Sequence, residues 1–389
     1  MEDLLIENGE VLVDGRFEKV NILVKNGKIT SLARIDSDCK TCNVLNASDK
    51  KIVPGFIDIH THGGYGVDVN NATTADLLKL SRFFAAQGTT GWLASIVTDT
   101  YEQTTWCIGQ IRQAMEEAND GAQILGIHLE GPFLSSDYKG SMQGALLRKA
   151  DSSLFDNYQK AAKGLIKYIT VSPEVDGAPE FIKEVSGRGV IVSIGHSGAD
   201  YDTARHCIRN GAASATHTFN AMSLLHHHSP GICGAVLEMD VFCEAICDGI
   251  HLHPGIIRLL LKTKGIDKVI AVTDSIMAAG MPDGLYNLGA SSVKVTGGDA
   301  KLISDGTRAG STLTTSVALR NLVDYTGRNL EEVIMLLTAN PASLLRIDSH
   351  KGSVMVGKDA DFVLLDEFLR IDTTVVGGRV VFENKTLIN

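Results

Sequence analysis

Two histidines one residue apart follow an aliphatic run near the start of the chain. His60 and His62 belong to residues 52–64, in which β-branched side chains lead into a Gly-Gly pair. This composition predicts a buried strand that runs into a loop. Because residues two apart on a strand point the same way, both imidazoles would face one space at the end of the strand. The pair therefore indicates a metal site.

The elements that must position such residues are strand-like runs in the middle of the chain. Eight of these runs alternate with helix-like segments such as 74–87 and 199–210; they are residues 52–60, 91–98, 124–130, 165–171, 190–195, 212–217, 243–247 and 268–273. The alternation predicts an α/β fold of the (β/α)8 TIM-barrel class, whose catalytic groups lie at the C-terminal ends of the strands. A doubly wound open sheet is the alternative.

Both ends of the chain are rich in short β-like segments. Asp14-Gly15 and Asn26-Gly27 are hairpin signals near the N-terminus. Residues 361–382 likewise contain short strand-like segments. We expect a small β-sandwich domain built from both termini. It would comprise residues 1–53 and 346–389, and the metal-dependent barrel would comprise residues 54–345.

Composition narrows the possible partners and the compartment. The chain has 389 residues, 44% of them hydrophobic, and a net charge of -10, which argues against nucleic acid as a partner. No run approaches the ~18 apolar residues of a membrane span, and the N-terminus lacks a signal-like segment. Seven scattered cysteines favour a cytoplasmic location, and the Cys39–Cys42 pair is expected to be incidental.

Most of the predicted barrel strands end in a titratable or metal-competent side chain. Glu130, His196 and His217 would form a three-ligand catalytic zinc set with an open position for water. A divalent ion there would lower the pKa of the water toward ~7 and polarise a substrate carbonyl. Asp274 would carry the proton, first as the base for water and then as the acid for the leaving amine. His251 would donate a hydrogen bond to the substrate as charge develops.

Other histidines have simpler interpretations. We expect His128 to be a hydrogen-bonded core residue, because Glu130 is the more loop-proximal group of that pair. His206 lies in a helical pattern and His350 in a polar loop, so both are expected at the surface. His60 and His62 either complete a second metal site or line the pocket.

Several motifs occur in order along nearly the whole chain. They are residues 54–63, 128–133, 195–197, 216–222, 248–251 and 272–274, followed by residues 339–342 and 351–361. Together they resemble those of the N-acetylglucosamine-6-phosphate deacetylases, a branch of the amidohydrolase superfamily. The histidine pair is widespread in the superfamily, whereas His-Leu-Glu-Gly-Pro from His128 and Thr-His-x-x-Asn-Ala-Met from Thr216 are much more specific to this branch.

The resemblance implies a (β/α)8 barrel, a small β-sandwich and usually a homodimer that acts on a small amino sugar phosphate. It implies Glu130, His196 and His217 as metal ligands, Asp274 as the acid/base and His251 as a substrate contact. Backbone groups of Asn220 and Ala221 would help to hold the phosphate. Members with Gln and Asn at the positions of His60 and His62 hold one metal, so one or two ions are expected. The ion is expected to be zinc, with iron, cobalt or manganese as alternatives.

Two departures from the family pattern concern substrate recognition. His228 stands where an Arg is expected, and a histidine cannot form the bidentate fork of a guanidinium. Met142 stands where a His is expected. We assign both, with Leu313, to substrate binding. Lys139 or the loop 226–228 would then hold the phosphate, unless that loop is a solvated connection.

The leading hypothesis is a metal-dependent hydrolase that removes the acetyl group from N-acetylglucosamine 6-phosphate or an epimer such as N-acetylgalactosamine 6-phosphate. A deaminase or cyclic-amide hydrolase of the same superfamily is one alternative, against which Glu130 argues. A non-catalytic sugar-phosphate sensor is another, against which the intact Asp274 and the three ligands argue.

Overall fold

The N-terminal part of the protein is a series of short strands. The structure, a computed structural model, describes residues 3–33 and 42–384. The strands are β1 (Leu4–Glu7), β2 (Glu10–Val13), β3 (Arg16–Lys19), β4 (Asn21–Lys25), β5 (Lys28–Ala33), β6 (Asn43–Asn46) and β7 (Lys51–Pro54). Asp14-Gly15 and Asn26-Gly27 turn β2 into β3 and β4 into β5, with positive φ at all four residues. This geometry is the one that tight hairpins require.

The middle of the chain forms a parallel barrel. The strands are β8 (Phe56–Thr61), a short hairpin of β9 (Gly63–Gly64) and β10 (Val67–Asp68), then β11 (Thr89–Val97), β12 (Gln123–Glu130), β13 (Ile166–Val171), β14 (Ile191–Ile194), β15 (Ala212–Ala215), β16 (Phe242–Ile246) and β17 (Val269–Val272). Eight of them, β8 and β11 to β17, form one parallel sheet in chain order. The Asp274 N–H donates to the His60 carbonyl at 2.8 Å and brings the last strand beside the first.

The barrel confirms the predicted fold class. An open doubly wound sheet is wrong, because its strand order reverses at a switch point, whereas this order is sequential. The predicted strand over 52–60 is in fact two strands. β7 pairs with the small-domain strand β2, the Gly55 N–H donates to the Asp361 carbonyl at 3.0 Å, and β8 then enters the barrel.

Helices cover the outside of the barrel between successive strands. They are α1 (Thr74–Ala86), α2 (Tyr101–Glu116), α3 (Ser152–Ala161), α4 (Ala178–Gly187), α5 (Tyr201–Arg209), α6 (Gly231–Glu238) and α7 (Pro254–Lys264), with 3-10 turns at Val69–Asn71, Gly144–Leu146 and Ile266–Lys268. Thr73 and Asp76 form a capping box at the start of α1. None of the helices described here is long and apolar enough to cross a membrane.

An unpredicted three-stranded sheet follows the last barrel strand. It consists of β18 (Gly284–Leu288), β19 (Ser291–Thr296) and β20 (Asp299–Leu302), paired antiparallel. The chain then forms α8 (Thr315–Thr326), α9 (Leu330–Val333), a 3-10 turn (Ile334–Leu337) and α10 (Ala339–Leu344) before the last strands, β21 (Phe362–Leu365), β22 (Ile371–Val376) and β23 (Arg379–Glu383).

Strands from both termini combine into two small sheets, in the orders β5-β4-β1-β6 and β23-β22-β21-β7-β2-β3. One buried cluster joins Ile6 and Ile22 of the first sheet to Val11, Ile52 and Phe362 of the second. The sheets therefore pack face to face, as in a β-sandwich. The domain limits at residues 53/54 and 345/346 remain predictions. Cys39 lies outside the described residues, so the expectation for the Cys39–Cys42 pair is untested.

Candidate active site

The strand ends that were predicted to carry chemistry meet at one mouth of the barrel. Glu130 is the last residue of β12, and His60 lies near the end of β8. His196, His217 and Asp274 each come two residues after a strand, β14, β15 and β17 respectively. Because the C-terminal ends of parallel barrel strands share one face, these side chains converge there. All five are at least nine-tenths buried.

The convergence centres on the carboxylate of Glu130. The Nε2 atoms of His196, His217 and His60 lie 3.2, 3.3 and 3.3 Å from its Oε1. His62 Nε2 lies 3.3 Å from Oε2 of the same side chain and 3.2 Å from Asp274 Oδ1. Two triads of ligand atoms result, Glu130–His196–His217 and His60–His62–Asp274, and within each triad the atoms lie within 4.8 Å of one another.

Hydrogen bonds at the far side of three imidazoles decide which nitrogen faces the centre. His62 and His196 donate Nδ1–H to the carbonyls of Ser95 and Tyr138 at 3.2 and 2.9 Å. His60 donates Nδ1–H to Oε2 of Glu244 at 2.9 Å. In a neutral imidazole the proton on Nδ1 leaves a lone pair on Nε2.

The resulting arrangement fits a bound cation. The Nε2 atoms of His60 and His62 are 3.1 Å apart, so two lone pairs face each other beside carboxylate oxygens. Only a shared proton or a metal ion relieves that crowding of acceptors. Imidazole nitrogen and carboxylate oxygen are ligands that zinc and similar ions prefer. The two triads therefore fit one or two divalent ions.

The charges in the site also favour a cation. Burial lowers the pKa of His62, but hydrogen bonds with Asp274 and Glu130 outweigh it and raise the pKa to about 9. Burial raises the pKa of Glu130, but the charge of His60 and the hydrogen bonds from His196 and His217 bring it well below its ordinary value. The carboxylates therefore stay ionised and attract positive charge, whether a proton or a metal ion.

Several of these residues have a left-handed backbone. His196, His217 and Asp274 have φ values of 49°, 28° and 48°, and the neighbouring Phe219 and Ala221 have values of 77° and 49°. A non-glycine residue pays a steric cost there and is found there mainly when function requires it. The sharp turns point the side chains inward as soon as each strand ends.

A cavity of about 540 Å³ opens over this cluster. Its floor includes His62, Glu130 and Asp274, and its walls come from loops after several barrel strands and from the segment after β20. Among the wall residues are Tyr138, Asn220, Ala221, His251, Lys301 and Arg308. The volume suits a small polar molecule such as a sugar derivative.

Comparisons with known proteins agree with this geometry. The family model described as "Amidohydrolase family" matches residues 52–381. The chain belongs to the amidohydrolase family. It is 36% identical to the N-acetylglucosamine-6-phosphate deacetylase of Bacillus subtilis, over 99% of this chain and 98% of that protein. It is 34% identical to the N-acetylgalactosamine-6-phosphate deacetylase of Escherichia coli, over 87% and 89% respectively.

A solved structure of a relative extends the likeness to three dimensions. A variant of the Mycobacterium smegmatis N-acetyl-D-glucosamine-6-phosphate deacetylase, in complex with N-acetyl-D-glucosamine-6-phosphate, has a TM-score of 0.89. It shares 31% sequence identity, and the match covers 98% of this chain and 100% of that one. The deacetylase branch of the family, inferred from the motifs, is therefore confirmed.

The predicted substrate contacts of this amidohydrolase fall into two groups. His251 lines the cavity and donates Nδ1–H to Asp248 at 2.6 Å, so its Nε2 is the nitrogen available to a substrate. Asn220 and Ala221 also line the cavity. The Asn220 N–H is already donated to the His217 carbonyl at 2.9 Å, whereas no hydrogen bond from the described residues occupies the Ala221 N–H. Of the two, Ala221 therefore has the backbone N–H that the described residues leave available.

Three predicted substrate contacts of the amidohydrolase do not line the cavity of this structure. Met142 is 4% exposed and packs against Leu134 and Ile276, because its apolar side chain is more stable in that cluster. Leu313 is likewise buried in a hydrophobic cluster. His228 lies in an exposed turn, where its ring contacts only His226 and His227 among the described aromatic rings. The structure therefore does not bring these three residues to the cavity, and their contact with substrate stays a prediction.

Sequence reasoning missed several cavity residues, and the two that carry a positive charge are Lys301 and Arg308. Both flank the turn at Asp305-Gly306 after β20, and both form ion pairs with Asp299, at 2.8 and 2.9 Å. The Asp-Gly dipeptide is a hairpin signal that could have marked this segment. His128 is the core residue that was expected, bonded to Ser95 and Thr170 at 2.9 Å each.

Proposed function

We propose that this amidohydrolase removes the acetyl group from N-acetylglucosamine 6-phosphate and releases the amino sugar phosphate and acetate. The observation that carries the proposal is the convergence of Glu130, His196 and His217 beside Asp274 on the floor of a cavity of sugar size. Relatives that match nearly the whole chain are named for this reaction or its galacto counterpart.

The residues have distinct roles in the proposed reaction. A divalent ion, when bound, lowers the pKa of water and polarises the acetamide carbonyl. Asp274 directs Oδ1 toward His62 at 3.2 Å, and Oδ2 accepts no hydrogen bond from the described residues. Asp274 takes a proton from the attacking water, the C–N bond breaks, and Asp274 returns the proton to the leaving nitrogen. To stabilise the carbonyl oxygen as charge develops on it, His251 must carry protons on both nitrogens, with Nδ1–H held by Asp248 and Nε2–H donated to that oxygen.

The phosphate would bind at residues that line the same cavity as the catalytic cluster. We assign one contact to the Ala221 N–H and another to Arg308, whose guanidinium has donors beyond the two it uses for Asp299. Lys301 adds positive charge on the same segment. Arg308 would thus supply the guanidinium that the family pattern led us to expect at position 228.

We also propose zinc as the ion, a cytoplasmic location and a homodimer. Zinc suits the N/O donor set, although iron, cobalt and manganese have similar preferences. Five cysteines, Cys107, Cys207, Cys233, Cys243 and Cys247, are free and buried, which supports a reducing compartment, whereas Cys42 is disulfide-bonded. Leu224 and Leu225 are adjacent in sequence and 87% and 51% exposed, and apolar exposure of this kind supports a partner subunit.

The galacto epimer is the second candidate substrate, because a relative at 34% identity is named for it. The test is a screen in which zinc-loaded protein receives N-acetylglucosamine and N-acetylgalactosamine, each with and without the 6-phosphate. Acetate and ammonia are measured separately. We expect acetate from the phosphorylated sugars and no ammonia. Ammonia release would favour a deaminase, and zinc binding without any hydrolysis would favour the sensor.

A further inference from the structure

Glu244 on β16 is a buried carboxylate that the proposed mechanism leaves unused. It is fully buried, and none of the described Lys or Arg side chains pairs with it. Instead it accepts three hydrogen bonds. Tyr168 Oη donates to its Oε1 at 2.6 Å, and His60 Nδ1 and the His217 backbone N–H donate to its Oε2 at 2.9 and 3.0 Å. A buried carboxylate needs hydrogen-bond donors to compensate for its lost hydration, and two of the three donors here belong to candidate metal ligands, which indicates a specific role.

Two of the three donors belong to the two different ligand triads. His60 belongs to the triad with His62 and Asp274, and His217 belongs to the triad with Glu130 and His196. One oxygen atom, Oε2, binds both. Glu244 thus lies beneath both triads and joins them through a single atom.

Each of these bonds fixes a property that metal binding needs. The bond from His60 Nδ1 keeps the proton on that nitrogen and turns Nε2 toward Glu130, 3.3 Å away. The bond to the His217 N–H holds a backbone whose φ of 28° is strained. None of the described residues bonds to the buried Nδ1 of His217, so no bond on that side of the ring fixes its orientation. The backbone of His217 therefore helps to direct its Nε2 toward Glu130, 3.3 Å away.

We propose that Glu244 is a positioning residue that keeps both triads ready for a divalent ion. This inference rests on the proposed function only in requiring that the triads bind such an ion. A carboxylate behind a ligating imidazole orients the ring and increases its basicity, and removing one generally weakens metal binding by about 10–100-fold. Glu244 serves one ligand through its side chain and another through its backbone.

Zinc affinity of the full-length protein tests the proposal. Glu244→Ala is expected to weaken zinc binding by about 100-fold. Glu244→Gln keeps the side-chain volume and one oxygen acceptor, with its amide toward the Tyr168 hydroxyl, which can accept a hydrogen bond. It loses the negative charge, so we expect zinc binding about 10-fold weaker. Affinity is measured by competition with a chelating indicator, and the melting temperature of the apoprotein is recorded alongside.

Tyr168→Phe is the matched control. It removes the third hydrogen bond to the same carboxylate and leaves the bonds to His60 and His217 in place, so zinc affinity should change less than about threefold. The proposal is overturned if Glu244→Gln binds zinc as tightly as the wild type. It is also overturned if Tyr168→Phe weakens zinc binding as much as Glu244→Gln does. Because Glu244→Gln preserves packing, it decides the matter even if Glu244→Ala does not fold. Tight zinc binding without acetate release would contradict the proposed function and leave this inference standing.

Discussion

The proposed phosphate contact at Arg308 concerns a single side chain that lines the cavity. Arg308 and Lys301 line it, whereas His228, at the position where the family pattern places an arginine, lies in an exposed turn. Residue types at strand ends were enough to predict Glu130, His196, His217 and Asp274, because the fold fixes where strand ends meet. They were not enough to predict Arg308, whose position depends on how a separate small sheet folds over the barrel.

Replacing Arg308 with Leu should raise KM for N-acetylglucosamine 6-phosphate by about tenfold, because a charge-assisted hydrogen bond is lost. The rate constant kcat should change little, since Arg308 is assigned to the phosphate and not to the acetamide. Steady-state acetate release measures both constants. His228→Leu is the control and should leave KM nearly unchanged. A KM effect confined to His228→Leu would show that the anion site has been misassigned.

At the scale of secondary-structure elements, the passage from sandwich to barrel depends on one glycine. Gly55 separates β7 from β8, and a Cβ there would lie 2.1 Å from Thr90 Oγ1. Apolar patterning predicted the run over 52–60 but not its division, because both strands are buried and have similar composition. The division is set by pairing of β7 with strands that are distant in sequence, β2 and β21. The inserted sheet was missed although its strands alternate, since Val293 and Val295 of β19 are buried while Lys294 and Thr296 are exposed.

Gly55→Ala should therefore lower the free energy of unfolding by about 1–3 kcal/mol through overpacking. Gly109→Ala provides a comparison, since nothing lies within 4 Å of a Cβ at that helical position. Its effect should be neutral or stabilising by up to about 1 kcal/mol. Urea unfolding measures both. Equal stability of the two variants would contradict the close packing of Gly55 against Thr90.

At the scale of the whole molecule, a charge network lies where the chain returns from the barrel to the sandwich. Lys351 is 6% exposed and contacts Asp361 and Asp359 at 2.6 and 3.0 Å. Burial lowers the pKa of Lys351, but the two carboxylates outweigh it and hold the pKa above 10.5. Burial raises the pKa of Asp359, but a hydrogen bond from Lys28 and the charge of Lys351 bring it below 3.8.

These directions predict how the network depends on pH. The contribution of Lys351 to the free energy of unfolding is complete below pH 10.5 and disappears as pH rises through its higher folded-state pKa. The contribution of Asp359 is complete above pH 3.8 and disappears as pH falls through its lower folded-state pKa. Lys351→Met should therefore lower the free energy of unfolding by about 3 kcal/mol at pH 7 and by less at strongly alkaline pH.

Urea unfolding at several pH values measures this loss. Lys268→Met is the control, because the partner of Lys268, Asp240, is 83% exposed and such pairs contribute less than about 1 kcal/mol. A Lys351→Met penalty as small as that of the control would contradict the role given to the buried network.

The central claim is that Asp274 moves the proton in a metal-dependent deacetylation. The measurement that tests it most directly is acetate release from N-acetylglucosamine 6-phosphate by zinc-loaded Asp274→Asn, with the metal content determined on the same sample. Asp120→Asn, at a side chain that is 71% exposed, serves as the control. We predict that Asp274→Asn loses about 10³-fold in kcat, while the ion at Glu130, His196 and His217 is retained. Wild-type turnover by this variant would contradict the account.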